Sequence, residues 1–234
     1  MEKKEKEKEI IGSNLNDKEI TYDKLLILFM IGCILGVLLE GSFCLITKGH
    51  WESHVVSIIG AFNTLYGAGM VFFYVGAVKL KSKPMFIRVI ILTVSATTLE
   101  LLAGLLLRYG LGMRAWNYEN AFLNYKGLIC IGFSFMWGAA AFAFCELQPK
   151  ISKRLEKFKG KGWHKTCVAV GIFMVFNILL TSMYITRWSE RHYGIPAQTE
   201  LQAIIDEDGP DDYMQSRFVE WEFLDSVIGN TISK

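Results

Sequence analysis

Proline is scarce in this chain, with four in 234 residues and none between Met1 and Lys83. The five cysteines, Cys33, Cys44, Cys130, Cys145 and Cys167, fall in or beside apolar segments and show no CxxC spacing, so neither disulfides nor zinc is expected. No GxxxxGK[ST] run occurs, which excludes ATP hydrolysis by a P-loop in this chain. No GxSxG or serine and lysine arrangement points to a hydrolase. No cofactor fingerprint is present, and nothing suggests a nucleic-acid partner.

Apolar length is what the chain has in plenty. Hydrophobic residues make up 52% of it, too much and too evenly spread for an ordinary soluble domain. A bilayer core about 30 Å thick needs about 20 apolar helical residues. Five stretches satisfy this, approximately Leu25 to Ile46, Val55 to Val78, Met85 to Leu107, Leu123 to Cys145 and Cys167 to Thr186. They are continuous rather than alternating, which argues against a barrel. The reading is all-α, a polytopic helical membrane bundle of about five transmembrane helices. Residues 1–24 form a charged cytoplasmic segment, 25–186 the transmembrane domain and 187–234 an acidic extracytoplasmic tail.

Direction follows from the positive-inside bias. Lysine and arginine number six in residues 1–24, three between Lys79 and Lys83, and seven between Glu146 and Thr166. The tail holds four cations against ten acids. Five spans would then place the amino terminus inside and the carboxy terminus outside the bacterial inner membrane. The first apolar run is too long for a signal-peptide core and reads as a retained span. Trp51, Trp116, Trp163 and Trp188 fall at expected interfaces, and residues 213–228 suit a short amphipathic helix on the outer surface.

Two glutamates, Glu40 and Glu100, interrupt the apolar runs. A carboxylate near the bilayer centre costs roughly 2.5 to 3.5 kcal/mol, so it is expected to face protein or a wet cavity and to find a partner. Glu40 is the fifteenth residue after Leu25 and Glu100 the fifteenth after Met85, which puts both at one height. A 60-residue slide also aligns Leu39 with Leu99, Lys48 with Arg108, Ala61 and Phe62 with Ala121 and Phe122, and Gly67 with Gly127. This predicts two parallel repeated hairpins plus a fifth helix, with both glutamates facing a shared site. Arg108 and Arg114 are the candidate counter-charges. Asn63, Thr64, Asn124, Asn177, Thr181 and Ser182 either line a path or cross-link helices. His50 and His54 bracket Glu52, but no third ligand is evident in the short loop, so no metal is expected there.

The stretch from Thr98 to Trp137 resembles the bacterial family of ABC-transporter type IV permeases. The matching positions are Glu100, the Arg114, Trp116, Asn117, Tyr118 box, then Asn124, Gly127 and Trp137. Gly36, Glu40 and the run Thr64 to Gly69 are similar too. The chain departs from the family in lacking a proline-rich loop and in carrying Asn117 where aspartate is usual. The resemblance implies transport with a separate ATPase subunit, for which the cations of 150–165 offer a surface that would serve anionic lipid equally well. A substrate or ion site is expected at Glu40, Glu100, Arg114, Trp116, Tyr118 and Asn124. Membrane lipid and a second copy of the chain are the other expected partners. The competing readings are a membrane-embedded enzyme acting on a lipid or envelope intermediate, and a non-transporting accessory or sensor.

Overall fold

The computed structural model describes residues 19–224. Among the described residues four helices are long and apolar enough to cross a membrane: α1 (Tyr22–Lys48), α3 (Met85–Gly110), α4 (Ile131–Leu155) and α5 (Lys161–His192). Between α1 and α3 lies a shorter helix, α2 (Thr64–Lys79). Large side chains such as Ile46, Leu106, Phe135, Met136, Ile172 and Leu179 point outward and are more than half exposed. A belt of this kind would be untenable in water and is what lipid demands. The chain is a helical membrane bundle.

Over the described residues the chain runs through the bundle five times, but the second passage differs from the expected continuous span. Residues 55–63 are not helical. The backbone N–H of Asn63 donates to Cys33 O, partway along α1, so the turn preceding α2 lies well inside the bundle. The 16 residues of α2 span only about 24 Å, which leaves that turn to complete the crossing. The fourth span also starts later than expected, because residues 124–130 form a small hairpin of β2 (Asn124–Tyr125) and β3 (Ile129–Cys130) before α4 begins.

Irregular backbone at this depth is tolerated only when protein satisfies it. Here α5 and the turn itself do so. Asn177, fully buried, accepts from Ile59 N–H and donates to Ile59 O, and Thr181 Oγ1 accepts from Ile58 N–H. Ser57 Oγ bonds within the turn to Gly60 and Phe62, Asn63 Nδ2 donates to His54 O, and Thr64 Oγ1 to Val56 O. Asn63 then caps α2 by accepting from Tyr66 N–H. Asn63, Thr64, Asn177 and Thr181 are therefore braces of the broken passage.

Close approach of this passage and the loop before it to α1 rests on glycines four or five residues apart. An added Cβ at Gly32 would meet the Tyr66 carbonyl at 2.7 Å, one at Gly36 the Tyr66 ring at 2.6 Å, and one at Gly41 the Trp51 ring at 2.2 Å. The α1/α2 hairpin packs against the α3/α4 hairpin mainly where α2 meets α4, through Phe73, Ala77, Ala141 and Cys145. At the end where Lys79, Lys81 and Lys83 lie, Tyr74, Gln148, Ser152 and Glu19 share hydrogen bonds. Pro149 in α4 cannot donate to Cys145 O. Arg88 of α3 donates to that carbonyl at 3.5 Å and to Ala77 O at 3.1 Å.

At the opposite end the chain after α5 folds into a cap. The helices α6 (Glu200–Asp208) and α7 (Asp211–Arg217) and the strand β4 (Glu222–Phe223), paired with β1 (Met113–Arg114), enclose Trp188, Met113, Ile205, Met214 and Phe218. Trp188 is 2% exposed, so it is a core residue rather than the expected interfacial anchor. Where the sequence suggested one helix over 213–228, α7 ends at Arg217 and β4 follows; residues 225–228 lie outside the described residues. Glu19 sits at the basic end and Leu224 bonds Gly112 at the cap end, as an odd number of passages requires.

Candidate functional site

Each hairpin carries its glutamate on its first helix and supplies the donors from elsewhere. In the first, Tyr66 of α2 donates its hydroxyl to Glu40 Oε1 at 2.5 Å. In the second, Glu100 Oε1 accepts from Tyr118 O–H at 2.9 Å and Oε2 from Trp137 Nε1–H at 2.9 Å. Both glutamates are partly buried. Among the described residues neither forms an ion pair. The Trp137 ring stacks on Phe73 of α2 with centroids 6.1 Å apart, which ties the second site to the first hairpin.

Tyr118 reaches Glu100 because the loop from 111 to 130 is braced at many points. Asn124 Nδ2 donates to Glu119 O and Ala121 O, while its Oδ1 accepts from Gly127 N–H. Trp116 Nε1–H donates to Leu128 O at 2.9 Å, and the Trp116 ring lies against Gly104 of α3. Tyr118 N–H donates to Gly127 O, and its ring stacks on Phe133 at 4.5 Å. Positive φ occurs at Leu123 (50°) and, in the turn between β2 and β3, at Lys126 (53°) and Gly127 (71°). The left-handed region is easy for Gly127 and costly for the other two. Burial, and then the Glu100 carboxylate, hold the Tyr118 phenol far above its ordinary value, so it stays a donor.

Arg114 does not join the glutamates. Its guanidinium donates from Nε at 2.8 Å and Nη2 at 2.5 Å to Glu222 Oε2, and Nη1 lies 3.6 Å from Glu119. The expected counter-charge is thus a strap between the loop and the cap. Asn117 also braces the loop, accepting from Glu119 N–H at 2.9 Å. Glu100 is bonded by Tyr118 and Trp137, the loop that presents Tyr118 holds Trp116 and Asn124, and Glu40 is bonded by Tyr66, whose phenol is near enough to Tyr118 to act on it electrostatically. Tyr66 and Trp137 as direct donors were missed as such. Aromatic residues within one helix turn or hairpin of a lone membrane glutamate are the signal that would have found them.

A second polar group stands where α1 ends. Cys44 Sγ is 3.1 Å from His54 Nε2, Glu52 Oε2 is 3.5 Å from the same nitrogen, and Glu220 Oε2 is 3.2 Å from His54 Nδ1. Lys48 and His50 bond the two oxygens of Glu52 and hold its carboxyl down to about 2. Neither Cys44 nor Glu220 was a partner that sequence spacing could assign.

Together these features define a membrane-spanning α-helical bundle with a broken second passage and two hydrogen-bonded glutamates inside it. A family model described as "Putative ABC-transporter type IV" matches residues 27–182, well over half of the chain, and the protein belongs to that family. Comparison with curated proteins and with solved structures gives no match.

Proposed function

We propose that this chain is the membrane-embedded permease subunit of an ABC-type transport system, working with a separate ATPase. The observation that carries the reading is the pair of glutamates at membrane depth, each held by phenol or indole donors and, among the described residues, neither paired with a cation. A carboxylate so placed favours uptake of a proton, a metal cation or a cationic group, which is what a stepping stone on a transport route must do. Family membership supports transport as the process. Trp116, Asn124 and Arg114 serve the route indirectly by fixing the loop that presents Tyr118.

In this reading the basic end faces the cytoplasm and the cap faces outward, in a bacterial inner membrane. The seven cations from Lys150 to Lys165 are all exposed at the turn between α4 and α5, and they form the ATPase docking surface. The test is purification of the tagged full chain from its own membranes in mild detergent. Nucleotide hydrolysis should co-purify with it and be lost when Lys150, Lys153, Lys157 and Lys161 are changed to glutamate. Hydrolysis no higher than that of an untagged control would overturn the permease assignment.

A further inference from the structure

The cluster at the end of α1 is not used by the proposed transport route, and its chemistry is that of a metal centre. We propose that Cys44, Glu52 and His54 bind a zinc-type divalent ion at the cap end of the bundle, with Glu220 orienting the imidazole. One ligand atom from each of the three residues lies within 4.8 Å of the others. Thiolate, imidazole and carboxylate are the three donor types that zinc accepts, and three protein ligands leave a fourth position for water.

The distances fit with little adjustment. Tetrahedral bonds of about 2.3 Å to sulfur and about 2.0–2.1 Å to nitrogen or oxygen would set the S and N ligands about 3.5 Å apart, and N and O slightly closer. The Nε2 to Glu52 distance is already 3.5 Å, and the Sγ to Nε2 distance of 3.1 Å must open by a few tenths of an ångström. His54 leads with Nε2, while Nδ1 is bonded by Glu220 from the cap. A carboxylate on the far nitrogen is the usual support of a metal-bound histidine, since it fixes the tautomer and strengthens the donor. Glu220 lies 166 residues away from His54 in the chain, so only folding of the cap completes the site.

Charge is balanced as well. A divalent ion and Lys48 offset the Cys44 thiolate, Glu52 and Glu220. Lys48 Nζ, 2.7 Å from Glu52 Oε2, competes with the ion for that oxygen, and His50 Nε2 holds Oε1 at 2.8 Å. A thiol nucleophile activated by His54 would use the same cysteine, imidazole and carboxylate relay. Cys44 is only 2% exposed, however, which bars a substrate but not an ion arriving past Glu52 and the exposed His50. On binding, the Cys44 thiol gives its proton to solvent and no bond to carbon is made or broken.

The experiment is titration of the purified full chain in detergent with Co2+ alone, followed by Zn2+. A thiolate-to-cobalt absorption band should saturate at one equivalent and be abolished by Zn2+. Cys44→Ser should eliminate the band, Glu220→Gln should weaken Zn2+ binding about 10- to 100-fold, and Lys48→Met should tighten it. A structural salt-bridge cluster would instead be loosened by Lys48→Met without any gain in metal affinity. Absence of a saturable band in the unaltered chain, or its persistence in Cys44→Ser, overturns the proposal. Should Cys44→Ser fail to fold, the chain with the other four cysteines changed to alanine must keep the band; its loss counts against the site.

Discussion

The two hairpins begin alike and end differently. α1 and α3 are both long helices that carry a glutamate towards the cap end. The return strokes diverge: the first descends as an irregular turn and a 16-residue helix, the second as a β-hairpin and a 25-residue helix. The first is braced from outside itself, by Asn177 and Thr181 of α5 and by Arg217 of α7, which donates to Ser57 O and Gly60 O. The second is braced by its own loop through Asn124, Trp116 and Gly127. Two similar glutamate-bearing helices therefore need not share a return path, which is set by whatever neighbours can satisfy its backbone.

The sharpest way to break the comparison is to alter the glycine that the 60-residue slide pairs. A Cβ at Gly67 would lie 2.6 Å from Cys33 Sγ and 2.8 Å from the Phe29 carbonyl, and a helix backbone cannot easily yield. Gly67→Ala is expected to cost about 3 kcal/mol through forced separation of α1 and α2. Gly127→Ala meets movable side chains, Glu119 and Asn117, and loses mainly the ease of φ 71°, about 1 kcal/mol. Denaturant unfolding in detergent measures both. Equal losses would mean that the two glycines do the same job after all.

Next in size is Asn177→Ala. It strands the N–H and C=O of Ile59 inside the bundle, at about 1–3 kcal/mol for each unsatisfied group before any relaxation, so a loss of about 2 kcal/mol is expected. The counterpart in the second hairpin is Thr97→Val, which removes a hydroxyl contact to Ser134 at 3.2 Å. Ser134 keeps its own bond to Cys130 O, so the change should cost under about 1 kcal/mol. Hydrogen exchange at Ile58 and Ile59 should speed up only in the first variant.

Much of this was legible from residue types alone. Apolar length gave four of the passages, because lipid fixes the number of residues a helix needs whatever its neighbours are. The second passage was misread because Val55 to Phe62 is apolar enough to continue a helix; what stops it is Asn63, Ser57 and a partner more than a hundred residues away on α5. The box around Arg114 was recognisable as a unit, but its internal roles were not. Cation and carboxylate types suggested that Arg114 would balance the glutamates, while the cap acid Glu222 reaches it first. The Cys44, Glu52 and His54 cluster escaped because helix and loop meet in space without a spacing rule.

Acid offers a gentler way to separate the hairpins. Asp206 is held below its ordinary value by Arg187 first and also by Arg191, whose guanidinium bonds place α6 against α5. A depressed carboxyl contributes stability that is fully present above its unfolded value, about 3.9, and is lost as pH falls through the folded value. The cap should therefore loosen below about pH 4, freeing the first hairpin's turn from Arg217 and the second hairpin's loop from its Arg114–Glu222 strap, while the bonds of Asn124, Trp116 and Gly127 within that loop persist. Asp206→Asn should reproduce this at neutral pH at a cost of roughly 2 kcal/mol, less than for a fully stranded charge because Glu190 still pairs with Arg187. Fluorescence of the cap tryptophans Trp188 and Trp221 reports the step. A cap transition that begins well above pH 5 would assign it to other groups.

The finest contrast concerns the glutamates themselves. Glu40 has one phenol donor and its bond lies open, whereas Glu100 has two donors and a ring, Phe133, stacked on one of them. A hydrogen bond to a charged group is worth about 1.5–3 kcal/mol when well enclosed and less where other partners can replace it. Double-mutant cycles separate these cases from unrelated packing losses. The cycle of Glu100→Gln with Tyr118→Phe is expected to show a coupling of about 1 kcal/mol, and that of Glu40→Gln with Tyr66→Phe about half as much. If Glu40 proved the more strongly coupled, the enclosed position in the second hairpin could no longer be regarded as the tighter of the two sites, and the first hairpin would take its place as the centre of the proposed route.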